Sequence, residues 1–447
     1  MKRFDDYEKE YKKKGNYYQD GKIVFQITEE NFGPFWKYVN NKNITDVDYN
    51  GTDLWLTDIN NNREKVKDDI SEDFVEQFCQ RIANIKSVDF NQKNPIIEIE
   101  TDNLRVSIVH DSAAVSGKSI CIRQTPPYQR ITEKQAIDKL YCSKKVMSLI
   151  ANCIKAHMNI VFCGAPRAGK TEAMKFFSNY IPDDERVITI EDVMELRYKE
   201  LKPKSDCVEI KCNEDLTYED AIIASLKQNP KWIMIAETRG KEVSNLIQGF
   251  STGVNGITTL HTDDISKIPQ RMVNMVNDGN IENRLLDNVY EFIDVGILIS
   301  IKKDEKGNLY RFIDQVGFFT ADEQSIENKR CRSCVNNGKI IRTEFPINIS
   351  SRFTKAGIID MFSNTEVDKK LISQGANIEK INADEMQDEV DAYELIRNNQ
   401  EIVNAEEELP PELPHEELVS PDVTYPKNNY DIPEMEEVRE RRRIVNE

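Results

Sequence analysis

The chain has 447 residues, 39% of them hydrophobic and 31% charged, and a formal net charge of −18. No run approaches the roughly 18 apolar residues that a membrane-crossing helix needs, and the acidity argues against non-specific nucleic-acid binding, which requires basic surface. The length suits two or three domains with their own cores, and nine cysteines without framework spacing suit a reducing compartment.

Residues 1–20 are rich in Lys, Glu and Tyr and read as a charged N-terminal arm without the apolar core of a signal peptide, so a cytoplasmic location is expected. Residues 21–127 mix short strands with one amphipathic helix. Asp53–Asp58 and Ile96–Glu100 alternate with period two, Arg105–Val109 and Ser119–Arg123 read as further strands, and Phe74, Phe78, Ile82 and Ile85 recur at helical spacing. This is an α+β domain closed by Pro126-Pro127. A linker and a helix over 132–157 follow, delivering the chain to a larger domain at 158–346.

In that domain β-rich runs (Arg186–Asp192, Trp232–Glu237, Gly256–Leu260, Val295–Ile301) alternate with helical ones (Tyr218–Gln228, Lys241–Phe250, Ser266–Asn277). Such alternation predicts an α/β fold with a mostly parallel sheet covered by helices. Tyr310–Phe319 and Ile340–Phe345 are expected to pair at its edge. Cys331 and Cys334 could form half a zinc site, but no second pair follows, which favours two thiols in a polar turn. A helical extension (347–386) precedes the stretch 387–447, which carries 18 acidic and 6 basic residues and six prolines between Pro410 and Pro433. That stretch holds −12 of the net charge and reads as a disordered acidic tail.

The chemistry is concentrated in Gly164-Ala165-Pro166-Arg167-Ala168-Gly169-Lys170-Thr171, which matches G-x-x-x-x-G-K-[ST]. An apolar strand leads in (Asn159–Cys163) and a helix-compatible run leads out. The glycines allow backbone amides to wrap a triphosphate, Lys170 supplies a point charge and Thr171 a hydroxyl for Mg²⁺. The following helix turns its positive end to the anion. Downstream, one strand ends in Glu191-Asp192 and another in Glu237, with Arg239 two residues on; a third closes at His261. Strand ends of open α/β sheets face the ligand crevice. Glu191, Asp192 or Glu237 could therefore hold Mg²⁺ through water or polarise a nucleophile.

Taken in order, these motifs resemble those of the secretion and traffic ATPases of type II and type IV secretion, type IV and tight-adherence pili, and conjugation. The family's Walker A is similar to Gly164–Thr171 and its Asp box to Thr189-Ile190-Glu191-Asp192-Val193-Met194-Glu195. Its Walker B is similar to Ala236-Glu237-Thr238-Arg239-Gly240, and its His box to Thr252-Gly253-Val254 with Thr259-Leu260-His261. The resemblance implies a RecA-like P-loop domain behind a smaller α+β domain, ATP and Mg²⁺ as cofactors, and a homohexamer at a polytopic membrane platform on the cytoplasmic face. It implies that Arg105 and Arg123 face the phosphates, that Glu237 or Glu191 handles the attacking water, and that Asp192 acts indirectly on Mg²⁺. Direct nucleic-acid binding is not expected. Rival readings are a helicase-like motor stimulated by nucleic acid and a catalytically weak ATP-binding scaffold. Four departures stand out: Arg167-Ala168 where Gly-Ser is usual, Glu172 directly after Thr171, Val254 in place of a histidine, and Ala236 in place of a glycine. A carboxylate beside phosphates is unfavourable unless it points away or pairs, with Arg167 as the expected partner of Glu172.

Overall fold

The computed structural model describes residues 28–387, apart from 102, 214, 277–281, 305, 306, 308 and 322–329, together with the backbone of two short strands at Tyr18–Gln19 and Lys22–Ile23. The expected arm and acidic tail lie outside the described residues except at their innermost positions.

Two sheets organise the chain. The first contains β1 (Ile44–Tyr49), β2 (Leu54–Asp58) and β3 (Arg63–Val66), then after helix α1 (Glu72–Lys86) come β4 (Ile96–Glu100), β5 (Leu104–Val109) and β6 (Ser119–Gln124). All pair antiparallel in the order β3-β2-β1-β6-β5-β4. Helix α1 starts where the Ser71 hydroxyl accepts from Phe74 N, with Glu72 and Asp73 at its positive end, and stops at Ser87, which is left-handed. Its face of Val75, Phe78 and Ile82 covers one side of the sheet, where Phe78 meets Phe32 and Phe35 edge-on at 5.7 and 5.4 Å. Such pairs add about 0.5–1.5 kcal/mol beyond their buried area. Phe74 and Ile85, expected on this face, are only partly buried. The register leaves a polar row on one face, running Glu100, Arg105, Arg123, Asp46, Thr57, Arg63 across the six strands.

The sequence between the sheets forms α2 (Glu133–Asp138) and α3 (Lys144–Lys155) instead of one helix. Leu140 adopts a φ of 55°, and Ser143 caps a new start by accepting from Val146 N. A second cap overrides helical composition here.

The second sheet begins with β7 (Ile160–Cys163), followed by α4 (Lys170–Ser178), β8 (Val187–Glu191), β9 (Cys207–Lys211), α5 (Tyr218–Leu226), β10 (Trp232–Ile235), α6 (Glu242–Ser251) and β11 (Asn255–Leu260). Helices α7 (Ile268–Val276) and α8 (Glu282–Phe292) then lead to β12 (Val295–Lys303), β13 (Leu309–Phe319) and β14 (Cys331–Asn336). The order is β9-β8-β10-β11-β7-β12-β13-β14, ending in the two-residue strand Lys339–Ile340. The six strands from β9 to β12 are parallel; the rest are antiparallel. Every residue of β7, β10 and β11 is buried, as strands covered on both faces require. Met147, Ile150, Phe176 and Phe177 from α3 and α4 pack on one face, and Leu246, Met272 and Val289 from α6, α7 and α8 on the other. This is a RecA-like P-loop fold preceded by a smaller α+β sheet.

At its edge the expected partner of β13, 340–345, is replaced by β14, so Cys331 and Cys334 lie in a strand and not in a turn. Cys331 packs toward the core on one face of the sheet and Cys334 belongs to the core on the other, so they cannot share a metal. Among the described residues no group of His, Cys, Asp and Glu is arranged to hold a metal ion, and no helix is long and apolar enough to cross a membrane. Helix α9 (Ile347–Lys355), α10 (Thr365–Ser373) and a last helix at 378–387 return to the linker helices. There Gln374 bonds Lys134 N and Glu133, and Lys144 pairs with Asp368 at 3.1 Å.

Candidate active site

The phosphate loop leaves the C-terminal end of β7, in the middle of the sheet, and turns directly into α4. Its shape depends on two glycines. Gly164 has φ of 153°, and a Cβ there would meet the Ile299 carbonyl oxygen at 2.5 Å; Gly169 has φ of 95°. A third left-handed residue is Arg167, with φ of 65°. Lys170 opens α4 with 8% of its surface exposed. Its ammonium faces the carbonyl oxygens of Gly164 and Ala165, both at 3.4 Å, and Nδ1 of His261 at 3.0 Å. Burial lowers its pKa, and the nearby Glu237 carboxylate works in the opposite direction. A buried cation held, among the described residues, by two carbonyls and an imidazole is a site suited to an anion.

The ends of neighbouring strands complete a polar line. His261 follows β11, and its Nε2 lies 2.9 Å from Glu237, which follows β10. Nδ1 of His261 also lies 3.2 Å from the Gly164 carbonyl oxygen, so the imidazole stands between the loop backbone and Lys170 on one side and Glu237 on the other. The other oxygen of Glu237 accepts from Arg239 at 2.6 Å, and Arg239 reaches Asp192 at 3.2 Å. Asp192 also accepts from the Tyr218 hydroxyl at 3.2 Å. The turn bearing Glu237 is pinned to β11, since Thr238 N donates to Thr259 O at 2.9 Å and the Thr259 hydroxyl to Ala236 O at 2.6 Å. Lys170, His261, Glu237, Arg239 and Asp192 therefore form one hydrogen-bonded series along the rim of the sheet.

Glu191 differs from Glu237. It is fully buried at the end of β8, and its Oε2 accepts from Glu195 N and Leu196 N, both at 2.8 Å. Oε1 has no partner. Burial pushes the carboxyl up to about 8 against the opposing pull of the two amides. Glu191 shapes the 191–196 turn, whereas Glu237 keeps some exposure and lies beside Lys170.

Glu172 does not pair with Arg167. Its Oε1 lies 3.5 Å from Lys175 and 4.0 Å from Arg130 in the linker. Burial alone would raise its pKa, but those two cations hold it below the ordinary carboxylate range. Lys175 also donates to Pro126 O at 3.2 Å, and Asn179 holds Gln129 at 2.7 Å. The irregular carboxylate thus turns away from the loop and fastens the linker to α4.

The two upstream arginines have different surroundings. Arg123 pairs with the buried Asp46 at 2.9 Å, and Asp46 also lies 4.0 Å from Arg167 in the phosphate loop. Arg105 pairs with Glu98 at 3.4 Å, on an exposed carboxylate. The same side of the first sheet meets the second through Lys211 and Glu100 at 2.7 Å and through Arg197, which donates to Thr101 O at 3.0 Å. Arg130, Lys175 and Arg311 belong to none of the sequence motifs. The sequence does carry a signal for Arg311, a cation within the otherwise apolar run Leu309-Tyr310-Arg311-Phe312-Ile313.

A family model described as Type II/IV secretion system protein matches residues 91–407. An uncharacterized protein of Bacillus anthracis is 30% identical over 261 residues, covering 57% of this chain and 58% of that protein. The chain therefore spans little more than half the length of that relative. The type IV secretion system protein PtlH of Bordetella pertussis is 32% identical over 130 residues, 27% of this chain and 38% of PtlH. Among solved structures, the ATPase DotB of Yersinia pseudotuberculosis has the same fold, with a TM-score of 0.52 at 15% identity, covering 70% of this chain and 85% of DotB.

Proposed function

Because the chain belongs to the type II/IV secretion system protein family, we propose that it is the ATP-hydrolysing motor subunit of a secretion, pilus-assembly or conjugative-transfer machine. The observation that carries this reading is Lys170, a buried ammonium with no carboxylate partner among the described residues, set in a loop whose backbone turns at two glycines of positive φ. Lys170 and the loop amides would hold the triphosphate, and the Thr171 hydroxyl would hold its Mg²⁺. The metal, when bound, neutralises phosphate charge. Glu237 orients the attacking water, with His261 linking it to Lys170. Asp192 acts at one remove, by fixing Arg239.

Arg123 reaches the loop from the first sheet through Asp46 and Arg167, so movement of that sheet and the state of the loop are mechanically joined. Closure over nucleotide and release after hydrolysis convert chemistry into motion. A homohexamer acting against a polytopic membrane platform at the cytoplasmic face is the assembly this reading entails.

The test is steady-state hydrolysis and nucleotide binding by the full chain. Lys170→Ala is expected to abolish turnover. Glu237→Gln is expected to retain binding while losing about 10²-fold or more in rate. Wild-type hydrolysis by a folded Lys170→Ala protein would sink the reading.

A further inference from the structure

Arg167 holds a left-handed backbone, φ 65°, in the middle of the phosphate loop, a conformation that residues other than glycine adopt at a cost. Its carbonyl oxygen accepts from Nε of Arg311 at 3.2 Å. The same guanidinium donates through Nη1 to the Ile59 carbonyl at 2.7 Å and through Nη2 to Oδ1 of Asn61. Both acceptors belong to the turn between β2 and β3 in the first sheet, and Asn61 is itself left-handed at φ 64°. The aliphatic stem of Arg311 passes beside the second loop glycine, its Cδ 3.4 Å from where a Cβ on Gly169 would stand.

One side chain on β13 therefore fastens the strained point of the phosphate loop and the N-terminal hairpin together. Its acceptors are neutral, two carbonyls and an amide, so the guanidinium neutralises no carboxylate there. A guanidinium stays charged and its donors stay in one planar fork. Withdrawing the 59–61 turn would strip two of its three acceptors and free it to leave the third.

We propose that Arg311 is a positioning residue for nucleotide binding, which holds the loop in its left-handed form at Arg167 while the 59–61 turn of the first sheet is docked. Docking of that sheet thereby sets nucleotide affinity through the shape of the loop, in addition to any contact it makes with phosphate. The proposal rests on the reading that this loop binds a nucleoside triphosphate. When only a fraction of molecules holds the competent loop, apparent affinity falls by that fraction.

The test is equilibrium titration of the full chain with a fluorescent ATP analogue and Mg²⁺, each variant being checked for cooperative thermal unfolding. Arg311→Lys keeps the charge and loses the fork, and is expected to weaken binding roughly five- to tenfold, the scale of one left-handed residue's conformational cost. Asn61→Gly removes one acceptor and tolerates the positive φ; it is expected to weaken binding by about two- to threefold. In an Arg167→Gly background the strain is gone, and adding Arg311→Lys is expected to cost less than about twofold.

Wild-type affinity in both Arg311→Lys and Asn61→Gly would overturn the proposal. So would an Arg311→Lys effect of the same size with and without Arg167→Gly, since it would make Arg311 only part of the interface. Asn61→Gly keeps the test decisive should Arg311→Lys fail to fold. Absence of saturable binding by the wild-type chain would defeat the nucleotide reading and this inference together. Normal wild-type binding with unaltered variants would defeat this inference alone.

Discussion

Replacing Glu191 by Gln should stabilise the protein at alkaline pH, by an amount that grows as pH rises from about 5 to 8. The carboxyl is fully buried at the end of β8, with two backbone amides on one oxygen and, among the described residues, no donor on the other. Burial raises its pKa from 4.5 to about 8. Between those values the folded protein keeps a proton that the unfolded chain has released. Folding then binds protons, so stability declines as pH rises through this window and levels off above about 8. At about 1.4 kcal/mol per pH unit, the whole interval amounts to roughly 5 kcal/mol as an upper bound.

Glutamine does not titrate, and its carbonyl can accept from both amides. Its NH₂ group takes the place of the unpartnered oxygen, a cost of about 1–3 kcal/mol. The net expectation is a gain of at most about 2–4 kcal/mol at pH 8 and a small loss near pH 5. Thermal unfolding of both proteins by circular dichroism from pH 5 to 8.5 measures it, the gain corresponding to several degrees at the alkaline end. A difference that stays flat across that range would refute the reasoning, because it would mean that Glu191 does not hold a proton in the fold.

Arg123→Ala should lower ATP turnover by about tenfold or more, and Arg105→Ala by less than about twofold, since only Arg123 connects through Asp46 to the phosphate loop. Equal losses in steady-state kinetics would contradict this division. Glu172→Gln should destabilise the fold by about 2–3 kcal/mol at neutral pH, because it leaves the buried Lys175 ammonium with neutral acceptors and no compensating negative charge. The Glu172 carboxyl is held below its usual 4.5, so its contribution is complete above that pH and is lost on acidification. Denaturant melts at pH 7 and pH 3.5 should show the gap between the two proteins closing.

The parallel sheet was legible because its signals are local. A run such as Trp232-Ile233-Met234-Ile235 needs burial on both faces, and the loop motif requires a strand before it and a helix after it. The break at Leu140 was not legible, since a left-handed leucine and a serine cap compete against strong helical composition over 132–157. Nor were the partners of Glu172. The sequence suggests the nearest cation, Arg167, but the helical turn carries the carboxylate toward Lys175 and the linker. Arg311 owes its role to a hairpin some 250 positions earlier in the chain, which no local pattern encodes. The same holds for Cys331 and Cys334, whose two-residue spacer resembles a ligand pair until β14 sends them to opposite faces.

The contacts of Gln374 with Glu133 and Lys134 bear on how the protein is made. They join residues 240 positions apart. At about 5–20 residues per second, a ribosome emits α2 on the order of tens of seconds before the helix that seals it. During that interval α2 and α3 must stand beside a growing parallel sheet whose last strands do not yet exist. The first sheet is complete by Gln124 and can fold as it emerges, whereas the half that carries the phosphate loop must wait for the helices near residue 374. Slowed translation should therefore leave the early sheet intact while exposing the apolar face of α3 to chaperones.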